Sequence, residues 1–396
     1  MDNDNKSFFK WVVGSQYFLY FGVMGIFLPY FNLYCYHLGF SGIKIGALSA
    51  LRSVTMILFP LIWGAIADRF QIRKPIYILC NIISAGIWIF FLYTGNFLAM
   101  FIITFFHGMF YAPIISFLEA FTIDVLGREK KSYGKIRAWG SINFILIVII
   151  TGKMVDLYPI EIILPLILAG AVLQAVISIK IPDIKTCVKG SLSPRPGPGH
   201  IFNIRVMVFL FCAFLMLVSH GTYYGFFSIH LKNLGYGNTF IGMAWALAST
   251  AEIIAMIKSD KIFRRFSMEN ILVFSFMVAA LRWFTLFVAD SPAVILISQI
   301  SHALTYGTFH MASILYIDSL VPDKDKTFGQ AVNNAVTYGL GMMVGFLVSG
   351  CLYKSLGLFS LFLISGIIAL IGGILFKSFQ IIDSRRTAKS KQKVTG

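Results

Sequence analysis

Residues 38–70, LGFSGIKIGALSALRSVTMILFPLIWGAIADRF, and residues 234–266, LGYGNTFIGMAWALASTAEIIAMIKSDKIFRRF, are two versions of one segment. At a fixed offset of 196 they align without a gap and share 11 of 33 residues. The identical pairs include Leu38/Leu234, Gly39/Gly235, Ile45/Ile241, Gly46/Gly242, Ser53/Ser249, Arg69/Arg265 and Phe70/Phe266. A second match, at an offset of 195, sets Tyr133-Gly134 against Phe328-Gly329. Two similar apolar halves predict the layout of a secondary transporter, with a substrate site between the repeats.

Composition points the same way. Hydrophobic residues make up 58% of the chain, mean hydropathy is +0.80, and only 13% of residues are charged. Those values lie outside the soluble globular range. Apolar runs of about 20 residues, the length that crosses a bilayer as a helix, recur throughout. They predict helices near 11–36, 42–67, 75–94, 97–125, 136–157 and 160–180. Six more follow near 206–231, 240–263, 270–289, 292–320, 327–352 and 356–379. The expected fold is an all-α membrane protein of twelve transmembrane helices in two pseudo-symmetric six-helix bundles, 1–180 and 206–380. Between them, 181–205 is rich in Pro, Gly, Ser and Lys and reads as a flexible cytoplasmic linker. The end of the chain, 381–396, reads as a basic cytoplasmic tail without regular structure.

Charge sets the expected orientation. With the N-terminus inside, the cytoplasmic segments hold 27 of the 33 Lys and Arg residues, and the outer loops hold only Lys44, Lys153, Lys232 and Lys354. This bias puts both termini in the cytoplasm, in the plasma (bacterial inner) membrane. The net charge of +16 therefore reads as topology. Nucleic acid is a poor partner, because the basic residues alternate between loops instead of forming one face. The five cysteines have no metal or disulfide spacing. Nothing implies a metal, a cofactor or an obligate protein partner; the implied partners are a small-molecule substrate, protons and the lipid bilayer. Enzyme signatures such as H-E-x-x-H, G-x-S-x-G or a nucleotide loop are absent, so catalysis is not expected.

Charges inside the membrane are costly and default to functional candidates. Glu119 on the fourth helix and Arg137 on the fifth are equidistant from Arg128 in the intervening loop. Each is about 13 Å from that apex at the helical rise of 1.5 Å per residue, so they are expected at one depth and able to pair. Arg282 and His302 repeat the arrangement about Pro292, each roughly 15 Å from the turn. Arg52 on the second helix is a further intramembrane cation, with Ala248 at its repeat position. Arg52, Arg137 and Arg282 together suit a carboxylate, which guanidinium groups bind bidentately. Phe144 and Trp283 are expected near the cavity. Glu252 is the first candidate for carrying a proton, Glu119 the second, and His302 and His310 titrate in a useful range.

After the second helix comes Gly64-Ala65-Ile66-Ala67-Asp68-Arg69-Phe70-Gln71-Ile72-Arg73-Lys74. It resembles the signature loop of the major facilitator superfamily, with Gln71 where that family usually has glycine. The resemblance implies the major facilitator fold and a cytoplasmic gate made by Gly64, Asp68, Arg69 and Arg73. Gly64 is expected to permit close helix approach. Glu119-Ala120-Phe121 with Tyr133-Gly134-Lys135-Ile136-Arg137-Ala138-Trp139-Gly140-Ser141 resembles the helix 4–5 hairpin of the lactose-permease (oligosaccharide/proton symporter-like) group. That likeness implies that Glu119, Arg137, Arg282 and His302 contact substrate. Thr305 stands where that group carries a carboxylate. Ala251-Glu252, Leu281-Arg282-Trp283, His302 through His310 and Gly329-Gln330 are closer to the phenylpropionate-permease-like branch. The implied function is alternating-access transport of a small organic solute, aromatic carboxylate-like or sugar-like, by proton symport. A sugar or nucleoside symporter, a drug or metabolite exporter and a non-transporting membrane sensor are the alternatives.

Overall fold

A computed structural model describes residues 3–183 and 203–395; the proposed linker falls mostly outside that range. The described residues are helical throughout, with no strand. In the first half α1 is Asn3–His37, α2 Gly42–Phe70, α3 Arg73–Trp88, α4 Phe97–Leu126, α5 Tyr133–Leu157 and α6 Ile163–Ser178. The second half begins with α7 Ile204–Asn233 and α8 Asn238–Ile257, and a short helix Ser259–Arg265 precedes α9, Met268–Val288.

Two crossings depart from simple helices. The tenth, α10, is built from Pro292–Ile300, a π-helical turn Ala303–Gly307 and Thr308–Leu320. Next, α11 starts at Lys326–Asn333, passes through a second π segment, Asn334–Gly341, and continues to 356. At Gly357 the backbone turns to φ 73°, ψ 169°, which glycine adopts readily, and α12 runs over 358–395. Among the described residues, ten helices are long and apolar enough to span a bilayer. One of those ten covers both α11 and α12, and the broken α10 is not among them, an arrangement consistent with the twelve crossings expected. The tail expected to lack structure is helical to Thr395. Its Arg, Lys, Ala and Gln residues are good helix formers and no proline or glycine interrupts them after Gly373.

The packing divides the chain differently from the sequence halves. Unit 1 holds the first six helices together with Tyr224–Thr250 and Phe346–Lys354, from α7, α8 and α11. Within it, α1 lies against α4, α5 and α6, while α4 and α5 barely touch each other. Polar ties are buried in this unit: Tyr77 Oη donates to Gln16 Oε1 at 2.7 Å, and Gln16 Nε2 donates to the Gln174 carbonyl at 2.9 Å.

The duplication persists in atomic detail inside unit 1. Asn32 of α1 donates to Ser49 Oγ of α2 at 3.0 Å; 196 residues on, Trp245 Nε1 of α8 donates to Ser228 Oγ of α7, also at 3.0 Å. Gly46 and its mate Gly242 are both contact points. A Cβ on Gly46 would stand 2.5 Å from the Phe346 carbonyl oxygen of α11, and one on Gly242 2.5 Å from the Val148 carbonyl oxygen of α5. Small residues allow such backbone approach where lipid offers no hydrophobic drive between helices. One tie has no mate: Asp156 at the end of α5 accepts from the Asn238 and Thr239 backbone N–H groups at 2.7 and 2.8 Å, and from Thr239 Oγ1 at 2.6 Å. It caps α8 from another helix, setting a carboxylate at a helix N-terminus.

Unit 2 comprises, among the described residues, 203 to Tyr223 of α7, Ala251–Gly345 and Ser355 onward. Its α9 begins at an N-cap, Ser267, whose Oγ accepts from Asn270 N–H at 3.3 Å. Thr222 of α7 and Ser365 of α12 share a hydrogen bond of 2.8 Å.

Candidate substrate and coupling site

Unit 2 carries the densest polar cluster. Arg282 of α9 is 2% exposed, and its guanidinium is held by neutral groups of α10. Nη1 donates to His302 Nδ1 at 2.9 Å and to Thr305 Oγ1 at 3.3 Å, and Nη2 donates to Gln299 Oε1 at 2.9 Å. Gln299 Oε1 also accepts from Tyr223 Oη of α7 at 3.0 Å. The rings of Tyr223 and Trp283 lie 4.3 and 4.7 Å from the guanidinium carbon. Thr305, the departure from the lactose-permease pattern, thus serves Arg282 as an acceptor.

The guanidinium settles the His302 tautomer. Arginine only donates, so Nδ1 presents its lone pair and the ring proton sits on Nε2. Nε2 faces Glu252 Oε2 of α8 at 3.7 Å. A second proton on Nδ1 would oppose the guanidinium N–H. His302 is therefore a link between Arg282 and Glu252. Along α10 the His302, Tyr306 and His310 rings stack in a file, 5.3 and 6.4 Å between centroids, and His310 Nδ1 meets Tyr338 Oη of α11 at 2.6 Å. Trp283 is fully buried, its Nε1 donating to Ser219 Oγ at 3.3 Å.

Unit 1 contains the other cluster, of a different kind. The Arg52 guanidinium lies over the Phe27 ring at 4.4 Å. Tyr20 of α1 and Tyr111 of α4 stack at 5.3 Å beside it, and His107 stacks on Tyr111 at 5.0 Å. Both tyrosines and His107 are within electrostatic reach of Arg52. Among the described residues no acceptor and no carboxylate engages the guanidinium, and the Tyr111 hydroxyl, near that of Tyr20, has no partner in good hydrogen-bond geometry. Sequence reasoning missed Tyr20, His107, Tyr111, Tyr223 and Gln299. The available signal was the spacing of His107 and Tyr111, one helical turn apart in an apolar helix.

Several expected placements differ. Glu119 and Arg137 form no ion pair within 4 Å; Arg137 lies over the Phe21 ring of α1 at 5.1 Å. Equal depth does not make them neighbours, because α1 lies against both α4 and α5. Phe144 is buried in the α1–α5 seam, its backbone against Gly25. No atom lies within 4 Å of where a Gly64 Cβ would be, so Gly64 mediates no close helix approach in this structure. The rest of its loop forms a compact knot. Arg73 donates to Asp68 Oδ1 through Nε at 3.2 Å and Nη2 at 3.0 Å, with Asp124 Oδ2 at 3.7 Å from its Nη1. Arg69 stacks over Phe70 at 5.6 Å. Gln71, where the signature loop it resembles has glycine, takes the left-handed conformation (φ 55°, ψ 38°), and its side chain donates to the Asp68 carbonyl at 2.6 Å.

A family model described as "MFS_1 like family" matches residues 10–364. The chain belongs to that family. Like other members of the MFS_1 like family it is a membrane transporter of small molecules, not an enzyme. It is 26% identical over 350 residues to the "Probable 3-phenylpropionic acid transporter" of Escherichia coli (strain K12), covering 86% of this chain and 90% of that one. It is 23% identical to the maltose permease of Geobacillus stearothermophilus, covering 92% and 94%. The fold matches the crystal structure of the nucleoside transporter NupG in its D323A form, with a TM-score of 0.85 at 19% identity, over 93% of this chain and 99% of that one.

Proposed function

We propose that this member of the MFS_1 like family is a proton symporter of small organic carboxylates with an aromatic body, working by alternating access in a bacterial inner membrane with both termini cytoplasmic. The observation that carries the reading is Arg52. A guanidinium in an apolar, aromatic-walled interior without an acceptor is costly, and an anionic solute would relieve that cost. A carboxylate can take two of the guanidinium N–H donors, and the Tyr111 hydroxyl can donate a third bond, in an enclosure whose walls are aromatic. Glu252, oriented by His302, supplies the protonatable group, and Arg282 holds His302 in its tautomer. Glu119, within electrostatic reach of Arg137, is the second protonatable candidate, and Arg137 a second anion contact.

The test is uptake of labelled 3-phenylpropionate, maltose and uridine into proteoliposomes with an imposed proton gradient. Gradient-driven accumulation of the acid, lost in Arg52→Gln and abolished by an uncoupler, is expected. Accumulation of uridine or maltose instead would install the second reading, a sugar or nucleoside symporter, which the permeases and the nucleoside transporter among its relatives favour. Uptake indifferent to the uncoupler would end the symport claim.

A further inference from the structure

We infer that Gly307 is a positioning residue: its missing side chain leaves a notch in α10 that seats Glu252 beside His302. This rests on the reading of Glu252 as the proton-carrying group. A Cβ added to Gly307 would stand 2.9 Å from Glu252 Cγ and 3.8 Å from its Cα and Cβ. The backbone gives no other reason for glycine there. Gly307 has helical angles, φ −61° and ψ −54°, where alanine is favoured over glycine by about 1 kcal/mol. What excludes a side chain is the space occupied by Glu252.

Two neighbouring features fit a built seat. Gly307 ends the π turn Ala303–Gly307 that begins directly after His302, and π turns recur at functional sites. Ala251 and Ala255 of α8 pack on Ala303 of α10, so small residues bring the two helices together around the carboxylate. The titratable and charged groups near Glu252 include His302 on α10, Tyr223 on α7 and Tyr338 on α11, with Arg282 of α9 reaching it through His302. Displacing Glu252 by the width of a methyl group alters its separation from all of them. The first half has a sterically similar notch, where a Gly108 Cβ would meet Thr55 of α2, but that notch holds no titratable group.

The experiment is a cycle of Gly307→Ala, Glu252→Ala and the double variant, read first as thermal stability in detergent. Gly307→Ala should lower the melting temperature in the otherwise native chain and raise it, or leave it unchanged, in the Glu252→Ala background, where no Cγ remains to clash. The same shift in both backgrounds would overturn the notch. The second readout is transport of labelled 3-phenylpropionate, comparing gradient-driven accumulation with equilibrium exchange. Gly307→Ala should cut accumulation about tenfold, equivalent to ~1.4 kcal/mol, while exchange changes less than about twofold. If Gly307→Ala also loses exchange, the double variant must recover it; failure to recover overturns the inference. Normal accumulation in Gly307→Ala with accumulation lost in Glu252→Gln would overturn the positioning role alone. Normal accumulation in Glu252→Gln would overturn the reading of Glu252 itself.

Discussion

Arg282 and Arg52 are both cations in apolar helices, and the molecule treats them in opposite ways. Arg282 is sealed in unit 2 by His302, Thr305 and Gln299 and bracketed by two aromatic rings. Arg52 in unit 1 has aromatic company alone. A cation whose donors are used by the protein is part of the scaffold, whereas one whose donors are idle is available to a ligand. The difference separates two roles that net charge and membrane depth make look alike.

Substitution should expose the contrast most strongly in stability. Arg282→Met strands the His302 Nδ1 lone pair in an apolar interior, while Gln299 Oε1 keeps its bond from Tyr223 and Thr305 Oγ1 its bond to the His302 carbonyl. A loss of roughly 2 kcal/mol is expected, from ~1–3 kcal/mol for one buried polar group left unsatisfied. Denaturation of the detergent-solubilised protein measures it, and an unchanged midpoint would remove the distinction. Arg52→Met should leave stability unchanged or raise it, since replacing a buried charge by an apolar group is often neutral or stabilising. It should weaken carboxylate binding on the order of 30-fold, from ~2 kcal/mol for charge-assisted bonds. Calorimetric titration with 3-phenylpropionate checks this, and a destabilised but tight-binding variant would reverse the assignment of roles.

Much of this was legible in the chain, for reasons that differ residue by residue. Arg282 and His302 meet because the tight turn at Asp290-Ser291-Pro292 fixes both their depth and the adjacency of α9 and α10. The same reasoning on Glu119 and Arg137 yields depth but not contact, since their helices pack on α1 instead of on each other. The π turns of α10 and α11 carry no distinctive residue types, so periodicity reads straight through them. Likewise the Gly357 break leaves hydropathy continuous, and α11 and α12 separate only by backbone geometry. The Arg52 enclosure was half visible: the cation stood out, but its tyrosine and histidine walls look like ordinary apolar-helix residues until α1, α2 and α4 are assembled.

Smaller effects refine the comparison by showing what unpaired asymmetry is worth away from the buried arginines. Asp156→Asn removes a charged cap from α8 and should cost about 1 kcal/mol, the usual value of an N-cap. Hydrogen exchange at Asn238 and Thr239 should rise with it, and unchanged exchange would show the cap to be idle. At Gln71 the opposing terms nearly cancel. Relief of a left-handed residue is worth ~1–2 kcal/mol, while a more flexible unfolded chain costs ~0.4–1 kcal/mol. The lost bond to the Asp68 carbonyl takes ~0.5–1.5 kcal/mol more. Gln71→Gly should therefore move stability by less than about 0.5 kcal/mol; a gain above ~1 kcal/mol would show that the side-chain bond to Asp68 contributes nothing.

The helical tail has a mechanical consequence. At 1.5 Å per residue the run from 358 to 395 measures about 57 Å, against a hydrocarbon layer of about 30 Å. Even after a tilted crossing, some 20 Å of rigid rod extends past the lipid, longer than the ~8 Å over which physiological salt screens charge. A straight continuation of α12 would carry the last residues clear of the headgroups instead of along them. A fluorophore fused after Thr395 would ride at a set height above the membrane, and its position would report the tilt of α12 directly.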